Sequence, residues 1–337
     1  MKIIYAFPEP LPLDRARGLQ AVHTAAALAA SGAEVVLAHV PATVSDPFAH
    51  YGLVQPPGVT RVTVSRTLPW PLCRIHSNRL FFANLRRQLA AELPRSPLFI
   101  RHLKLAALIA RHLPKAVLVY EAHEVFADTA SPGRREANRR LEESVMTHAS
   151  AVVANSAATA MCLQALYGRK GIEVIPNGVE WPDHLPDKPW AEARLSVIYA
   201  GSFFPWKGVA ELIEASRQLD GFRITLIGAG EGHAALGGWT AEGAELVLPG
   251  RLPHSEVMSR LAGSCIAVLP NRDDSDSSFT SPIKLFEYMA SGCAIVTSDL
   301  PSIREILGPD EAMWVRPGDP AALAAGIRKL AGEPEHA

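Results

Sequence analysis

The chain has 337 residues, of which 48% are apolar and 20% charged, with a net charge of −1. That apolar content can bury the cores of two ordinary domains. Cys73, Cys162, Cys265 and Cys293 stand far apart with no C-x-x-C pair, which argues against a disulfide framework or a zinc site and fits a reducing compartment. Pro8 and Pro10 close the first apolar run too soon for a signal peptide, and no run approaches the roughly 18 apolar residues of a membrane span. The charge is uneven. Residues 1–120 carry 14 Lys and Arg against 5 Asp and Glu, and the remainder carries 19 against 29. A basic half and an acidic half are either surfaces for separate partners or two solvated faces that attract each other.

In chain order, Lys2–Phe7 reads as a strand, followed by a helix over about Gly18–Ser31. Glu34–His39 and Thr60–Ser65 read as strands, and Ala116–His123 as a buried strand. Ala151–Ala154 and Ile172–Pro176 follow helical stretches. The segment Asn177–Trp190 is rich in Pro and Asp and lacks periodicity, so it predicts a linker. A second series of strands covers Ser196–Ala200, Arg223–Ile227, Glu245–Leu248, Ile266–Pro270, Ala294–Ser298 and Met313–Val315, with a last helix near Pro320–Leu330. The alternation predicts an α/β protein of two doubly wound, Rossmann-like domains facing a cleft. The expected division is an amino domain over 1–178, a linker over 179–195 and a carboxyl domain over 196–337.

Two stretches carry chemistry. Tyr199–Gly208 delivers the chain to a helix start with Lys207 at the entry. In Ser281–Gly292, Ser281 suits an N-cap and Pro282 the first helical position. Backbone N–H groups at a helix start beside a lysine form a site for phosphate. Glu287, further along that helix, offers a carboxylate to a hydroxylated ligand. Taken singly, each feature has a plain alternative. Gly228 and Gly230 also fit a strand-to-helix turn, Lys284 a solvated lysine, Glu287 a solvated helix residue, and His123 a satisfied core histidine. By strand alternation Glu121 shares a face with His123 and is placed to orient its ring.

Together these motifs resemble the retaining glycosyltransferases of family 4, which have the GT-B fold. The resemblance rests on Ala200–Gly208, Leu226–Gly230, Leu248–His254 and the run Ser281–Glu305. In the amino half it rests more weakly on Arg17-Gly18, Tyr120–Glu124 and Ile175–Val179. It implies a hexosyltransferase that moves a sugar from a UDP- or GDP-sugar to a hydroxyl acceptor with retention. Lys207 would contact the diphosphate. Glu287 matches the second glutamate of the family's E-x7-E motif, which holds the ribose. The backbone of Ile283, Lys284 and Leu285 would face phosphate or sugar oxygens, and Gly230 and Arg251 would border the base. His123 would contact the transferred sugar. No metal or other cofactor is expected.

Two positions depart from the pattern. The first glutamate of the motif is Phe279 here, with Asp273, Asp274 and Asp276 as stand-ins or as members of a polar loop. Ser202 stands where many members have arginine, which shifts diphosphate charge to Lys207, helix dipoles, Lys284 or Arg251.

The acceptor is expected on the amino domain, near Arg17 and Gly18, and is expected to be a cell-envelope glycan or lipid-linked saccharide. Arg66–Lys115 mixes Arg74, Arg79, Arg86, Arg87, Arg95, Arg101, Lys104 and Arg111 with Trp70, Phe81, Phe82, Leu85, Leu89, Phe99 and Leu103. That pattern suits either a surface for anionic membrane or ordinary helices covering a sheet. The expected location is cytoplasmic, peripheral on the inner face of the membrane. Nucleic-acid binding is not expected, since no recognised module is present. Two other functions fit the same residues: a sugar-nucleotide epimerase and a non-catalytic, nucleotide-binding subunit.

Overall fold

The first strand shows how the sequence builds the amino unit. β1 (Lys2–Leu11) is buried on both faces from Ile3 to Phe7, as its unbroken apolar run requires. It extends past Pro8 and Pro10, beyond the end expected at Phe7. The ladder to β2 (Glu34–Pro41) slips between Phe7 and Pro10, and β4 (Leu98–Ile100) pairs only Ile4 and Tyr5. The prolines therefore fall where pairing is already irregular or absent, and their missing N–H groups are tolerated.

We describe the chain from a computed structural model, which covers all residues except 14, 43–45, 69–75, 186, 189, 230–242, 275–281 and 334–337. The chain forms two compact units, Met1–Pro176 and Asn177–Ala337. The first holds a seven-stranded parallel sheet in the order β3-β2-β1-β4-β5-β6-β7. Its remaining strands are β3 (Val59–Thr63), β5 (Leu118–Ala122), β6 (Ala151–Ala154) and β7 (Ile172–Val174). The second holds a six-stranded parallel sheet in the order β10-β9-β8-β11-β12-β13. These strands are β8 (Ser196–Ala200), β9 (Arg223–Ile227), β10 (Glu245–Gly250), β11 (Ile266–Leu269), β12 (Ala294–Ser298) and β13 (Met313–Val315). Both units are Rossmann-like, and the strand order reverses beside β1 in one and beside β8 in the other. In such sheets ligands bind outside the carboxyl ends of the strands at that reversal. The chain there is Arg101 after β4, Gly201-Ser202 after β8 and Pro270-Asn271 after β11.

Segment 179–195, expected as a linker, groups with the second unit and carries a short helix, Trp190–Ala193. Lys188 ties it down. Its Nζ donates to the carbonyls of Leu261, Ala262 and Ser264 at 2.8, 3.0 and 2.7 Å, capping the end of the His254–Ala262 helix. In the basic stretch of the amino unit, the helices Asn78–Gln88 and Leu103–His112 bury Phe81, Phe82, Leu85, Leu103 and Leu105. Arg79, Arg86, Arg87, Lys104 and Arg111 face outward. The apolar side chains of these helices are buried, and the exposed positions named are basic. Trp70 and Arg74 lie outside the described residues. No helix among the described residues is long and apolar enough to cross a membrane.

Candidate functional site

In the carboxyl unit the site begins at the end of β8. After Ser202 the chain runs to a short 3-10 helix, Pro205–Lys207, and Gly208 turns it into the Val209–Ser216 helix. Gly208 has φ +69°, and any Cβ there would collide with the Pro270 carbonyl, so this turn admits only glycine. The turn pulls Lys207 inward to 7% exposure, with Nζ 3.5 Å from the centre of the Trp206 ring. The carbonyl of Trp206 accepts from Arg272 N at 2.9 Å, and the Arg272 side chain pairs with Glu211. These contacts fix the loop after β11 beside the lysine turn.

The second arm is the Ile283–Ala290 helix. It starts one residue later than expected: Pro282, with ψ 111°, is the capping residue and not the first helical one. Ser281, Gly230, Phe279 and Asp276 lie outside the described residues. Among the three backbone groups expected to face oxygens, Leu285 N already donates to the Pro282 carbonyl at 3.0 Å. The amides of Ile283 and Lys284 remain as the helix start, where no carbonyl of their own helix reaches them.

Glu287 is 7% exposed and not a solvated helix residue. Its Oε1 lies 3.0 Å from His254 Nε2, on the first residue of the His254–Ala262 helix. This pairing was not foreseen: the two residues are 33 apart, and no local pattern joins them. The Lys284 side chain folds back to the β8 loop, where Nζ donates to Tyr199 Oη at 2.8 Å. Tyr199 Oη donates in turn to the carbonyl of Ser202 at 2.8 Å, so Ser202 enters the site as a backbone acceptor. Burial lowers the Lys284 pKa to about 7, against the opposing pull of Glu287. Arg251, directly after β10, is exposed.

The amino unit carries a second polar cluster. His123 follows β5 and Glu121 lies within it, with Nε2 and Oε1 3.1 Å apart. The expected sharing of one face is what brings them together. Asn155 Nδ2 donates to the His123 carbonyl at 3.3 Å. Burial, then the charge of Arg101, lower the His123 pKa. Burial pushes the Glu121 carboxyl up, but contact with His123 and the charges of His123 and Arg101 outweigh it and leave it lowered. Arg101 itself is not part of the outer basic face. It follows the three-residue β4 and donates to Gln20 Oε1.

Arg17 and Gly18 lie in the first turn of the Ala16–Ala30 helix, not in a loop before it. Arg17 Nε donates to Glu9 Oε2 at 2.6 Å. A Cβ on Gly18 would overlap the Tyr51 hydroxyl and the Leu13 carbonyl, and Tyr51 Oη donates to that carbonyl at 2.7 Å. Gly18 therefore has a packing role that accounts for it without a ligand. Among the described residues, no group of three His, Cys, Asp or Glu is placed to hold a metal ion.

The Glu121–His123 contact makes a direct prediction. The Glu121 charge raises the His123 pKa, so Glu121→Gln is expected to lower it further. An NMR titration of the His123 ring checks this. An unchanged or higher midpoint would refute the pairing.

Residues 194–333 match the family model "Glycosyl transferases group 1", and residues 18–181 match "Glycosyltransferase Family 4". The amylovoran biosynthesis glycosyltransferase AmsK of Erwinia amylovora is 33% identical over 173 residues, which are 48% of this chain and 40% of that protein. The match thus spans less than half of that relative. Sucrose-phosphate synthase from Thermosynechococcus elongatus superposes with a TM-score of 0.76 at 18% identity, covering 100% of this chain and 91% of that one. HepE of Anabaena, in complex with UDP, gives 0.67 at 17% identity, with 100% and 91% covered. WaaG, a glycosyltransferase involved in lipopolysaccharide biosynthesis, gives 0.67 at 15% identity, with 99% and 91% covered. By fold the chain is of the GT-B type, and each of its two units matches a glycosyltransferase family model.

Proposed function

We propose that the carboxyl unit holds a nucleoside-diphosphate sugar and that the protein transfers its hexosyl group, with retention, to a hydroxyl of a cell-envelope glycan or lipid-linked saccharide. The observation that carries this reading is the gathering of Lys207, Lys284, the Ile283–Ala290 helix start and Glu287 around the reversal point of one sheet. Cations and helix dipoles suit a diphosphate, and a carboxylate beside them suits ribose hydroxyls. UDP in the HepE structure supports the donor class, and the amylovoran biosynthesis named for AmsK and the lipopolysaccharide biosynthesis named for WaaG support the acceptor class.

In this reaction the bond from the anomeric carbon to the diphosphate oxygen breaks, and a bond to the acceptor oxygen forms on the same face. The acceptor proton passes to the departing phosphate. Lys207, Lys284 and the amides of Ile283 and Lys284 meet the charge that develops there. Those groups answer the diphosphate charge, so we assign no metal. Glu287 holds the ribose, Arg251 borders the base, and His123, held by Glu121 and Asn155, is assigned to the transferred sugar.

The test is a thermal-shift screen with UDP, GDP, ADP and their sugar conjugates. One base is expected to stabilise the protein, with the effect lost in Lys207→Ala and Glu287→Ala. No shift from any of them would contradict the donor site.

We assign the acceptor to the amino unit and its outward basic face to an anionic membrane surface, with the protein peripheral on the cytoplasmic side. Binding to vesicles of anionic lipid is expected at low salt, lost near about 0.5 M salt as charges are screened. Reversing Arg79, Arg86 and Arg87 to Glu is expected to abolish it. Absence of binding at low salt would remove the membrane from the account.

A further inference from the structure

We propose that Glu142 is a positioning residue for His123: from the Pro132–His148 helix its carboxylate fixes the turn that follows β5, and so sets where the His123 ring stands. This rests on the assignment of His123 to the transferred sugar and goes beyond it to what holds that residue.

The turn does not hold itself. The helix after it, Phe126–Thr129, has four residues, and its capping residue, Val125, makes no side-chain hydrogen bond. The first amides of a helix have no carbonyl of their own helix to meet. Glu142, fully buried, accepts from both: Phe126 N donates to Oε1 at 2.7 Å and Ala127 N to Oε2 at 2.9 Å. Tyr167 Oη, at the end of the Ala157–Tyr167 helix, donates to Oε2 at 2.8 Å. Both oxygens accept and neither donates, which is the pattern of a carboxylate. Asn138 stands one helical turn before Glu142 on the same face, and its Nδ2 donates to the Phe126 carbonyl at 3.1 Å. One face of one helix therefore holds both backbone polar groups of Phe126.

His123 is also held from the other side. Asn155, which donates to its carbonyl, accepts at Oδ1 from Thr159 Oγ1 at 3.1 Å, and Thr159 Oγ1 accepts from Ser156 Oγ at 2.9 Å. All three residues are buried. The sheet fixes β5 up to Ala122, where it pairs with Ala154. The chain is thus tied before His123, at its carbonyl, and again at Phe126 and Ala127. Backbone dihedrals limit the directions a side chain can take. These ties accompany a ring that meets Glu121 at 3.1 Å. Hydrogen bonds to a charged group are the stronger ones, so Glu142 is the tie whose loss is expected to matter most.

The test is Glu142→Gln in the full chain. A glutamine has one accepting oxygen, so whichever way its amide lies, one of the two backbone N–H groups faces an NH2 group. NMR with labelled histidine reads the ring, with the His123 signals assigned by their loss in His123→Ala. In wild type, Glu121→Gln is expected to displace those signals. In the Glu142→Gln background the same displacement is expected to shrink by at least about half, and comparing the two displacements cancels any direct effect of the Glu142 charge. The signals of His39, buried on β2 of the same unit, are expected to stay in place. Asn138→Ala is expected to act in the same direction and less strongly, and it carries the comparison if Glu142→Gln does not fold. An undiminished displacement in the folded variant would overturn the inference, because a merely structural role would lower the melting temperature and leave the ring where it is.

Turnover of UDP-glucose, or of the sugar nucleotide that the thermal-shift screen selects, is measured with water as acceptor. It is expected to fall about 10- to 100-fold in Glu142→Gln with KM within about threefold of wild type. Added to His123→Ala, the same substitution is expected to change turnover by less than about threefold. Losses that add in full would overturn the inference. Wild-type turnover by His123→Ala would overturn the assignment of His123 to the sugar, and the NMR comparison, which needs no ligand, would still decide what holds the ring.

Discussion

Lys207→Ala is expected to lower the rate of sugar transfer by about 100- to 1,000-fold, the usual consequence of removing one preorganised group that stabilises developing charge. Lys207 is drawn to 7% exposure by a turn that only Gly208 permits, and its ammonium is laid over Trp206. A buried cation costs desolvation free energy. A purely structural lysine so placed would be replaceable by an apolar residue of like size with little loss. Lys207→Met therefore separates the two roles. If the lysine serves the diphosphate, Lys207→Met loses the same activity as Lys207→Ala while unfolding no earlier than wild type. Turnover within about threefold of wild type in either variant would exclude the role.

Glu287→Ala is expected to weaken nucleoside-diphosphate binding by about 10- to 100-fold, since hydrogen bonds to a charged group contribute about 1.5–3 kcal/mol. Inorganic pyrophosphate separates ribose from phosphate. Its affinity should be unchanged or slightly better in Glu287→Ala, because a nearby negative charge is lost, whereas Lys207→Ala should weaken both ligands. The 3.0 Å contact between Glu287 and His254 adds a constraint. His254→Ala leaves the carboxylate without that partner and is expected to weaken nucleotide but not pyrophosphate, by less than Glu287→Ala does. Equal losses for both ligands in Glu287→Ala would place the carboxylate on the phosphate side and contradict its assignment.

Much of the carboxyl unit was legible because its strands are short apolar runs between turn residues. β8, β9, β12 and β13 fall on the expected residues. Lys207 and Glu287 were legible as a pair of motifs. Glu121 and His123 were legible through strand alternation, which acts over two residues. What was not legible depended on distant contacts or very short elements. β4 has three residues and offers no period to read, so the sequence alone does not separate Arg101 behind it from the outer basic face. His254 meets Glu287 only through the packing of two helices. Lys284 could be read as a phosphate contact or as a solvated lysine. The geometry shows a third arrangement, a nitrogen folded against Tyr199 through the space left by Gly201. Leu285 was expected to offer its amide, but the turn at Pro282 takes that hydrogen first. The proline reads as the first helical residue by its fixed φ alone. Its extended ψ moves the helix start onward by one.

The most direct measurement is a crystal structure of the protein with the nucleoside diphosphate that stabilises it. The account predicts the diphosphate between Lys207 and the amides of Ile283 and Lys284, the ribose hydroxyls on Glu287, and Lys284 Nζ turned from Tyr199 toward phosphate oxygen. A nucleotide bound elsewhere, or one whose ribose and phosphates avoid Glu287 and Lys207, would contradict it.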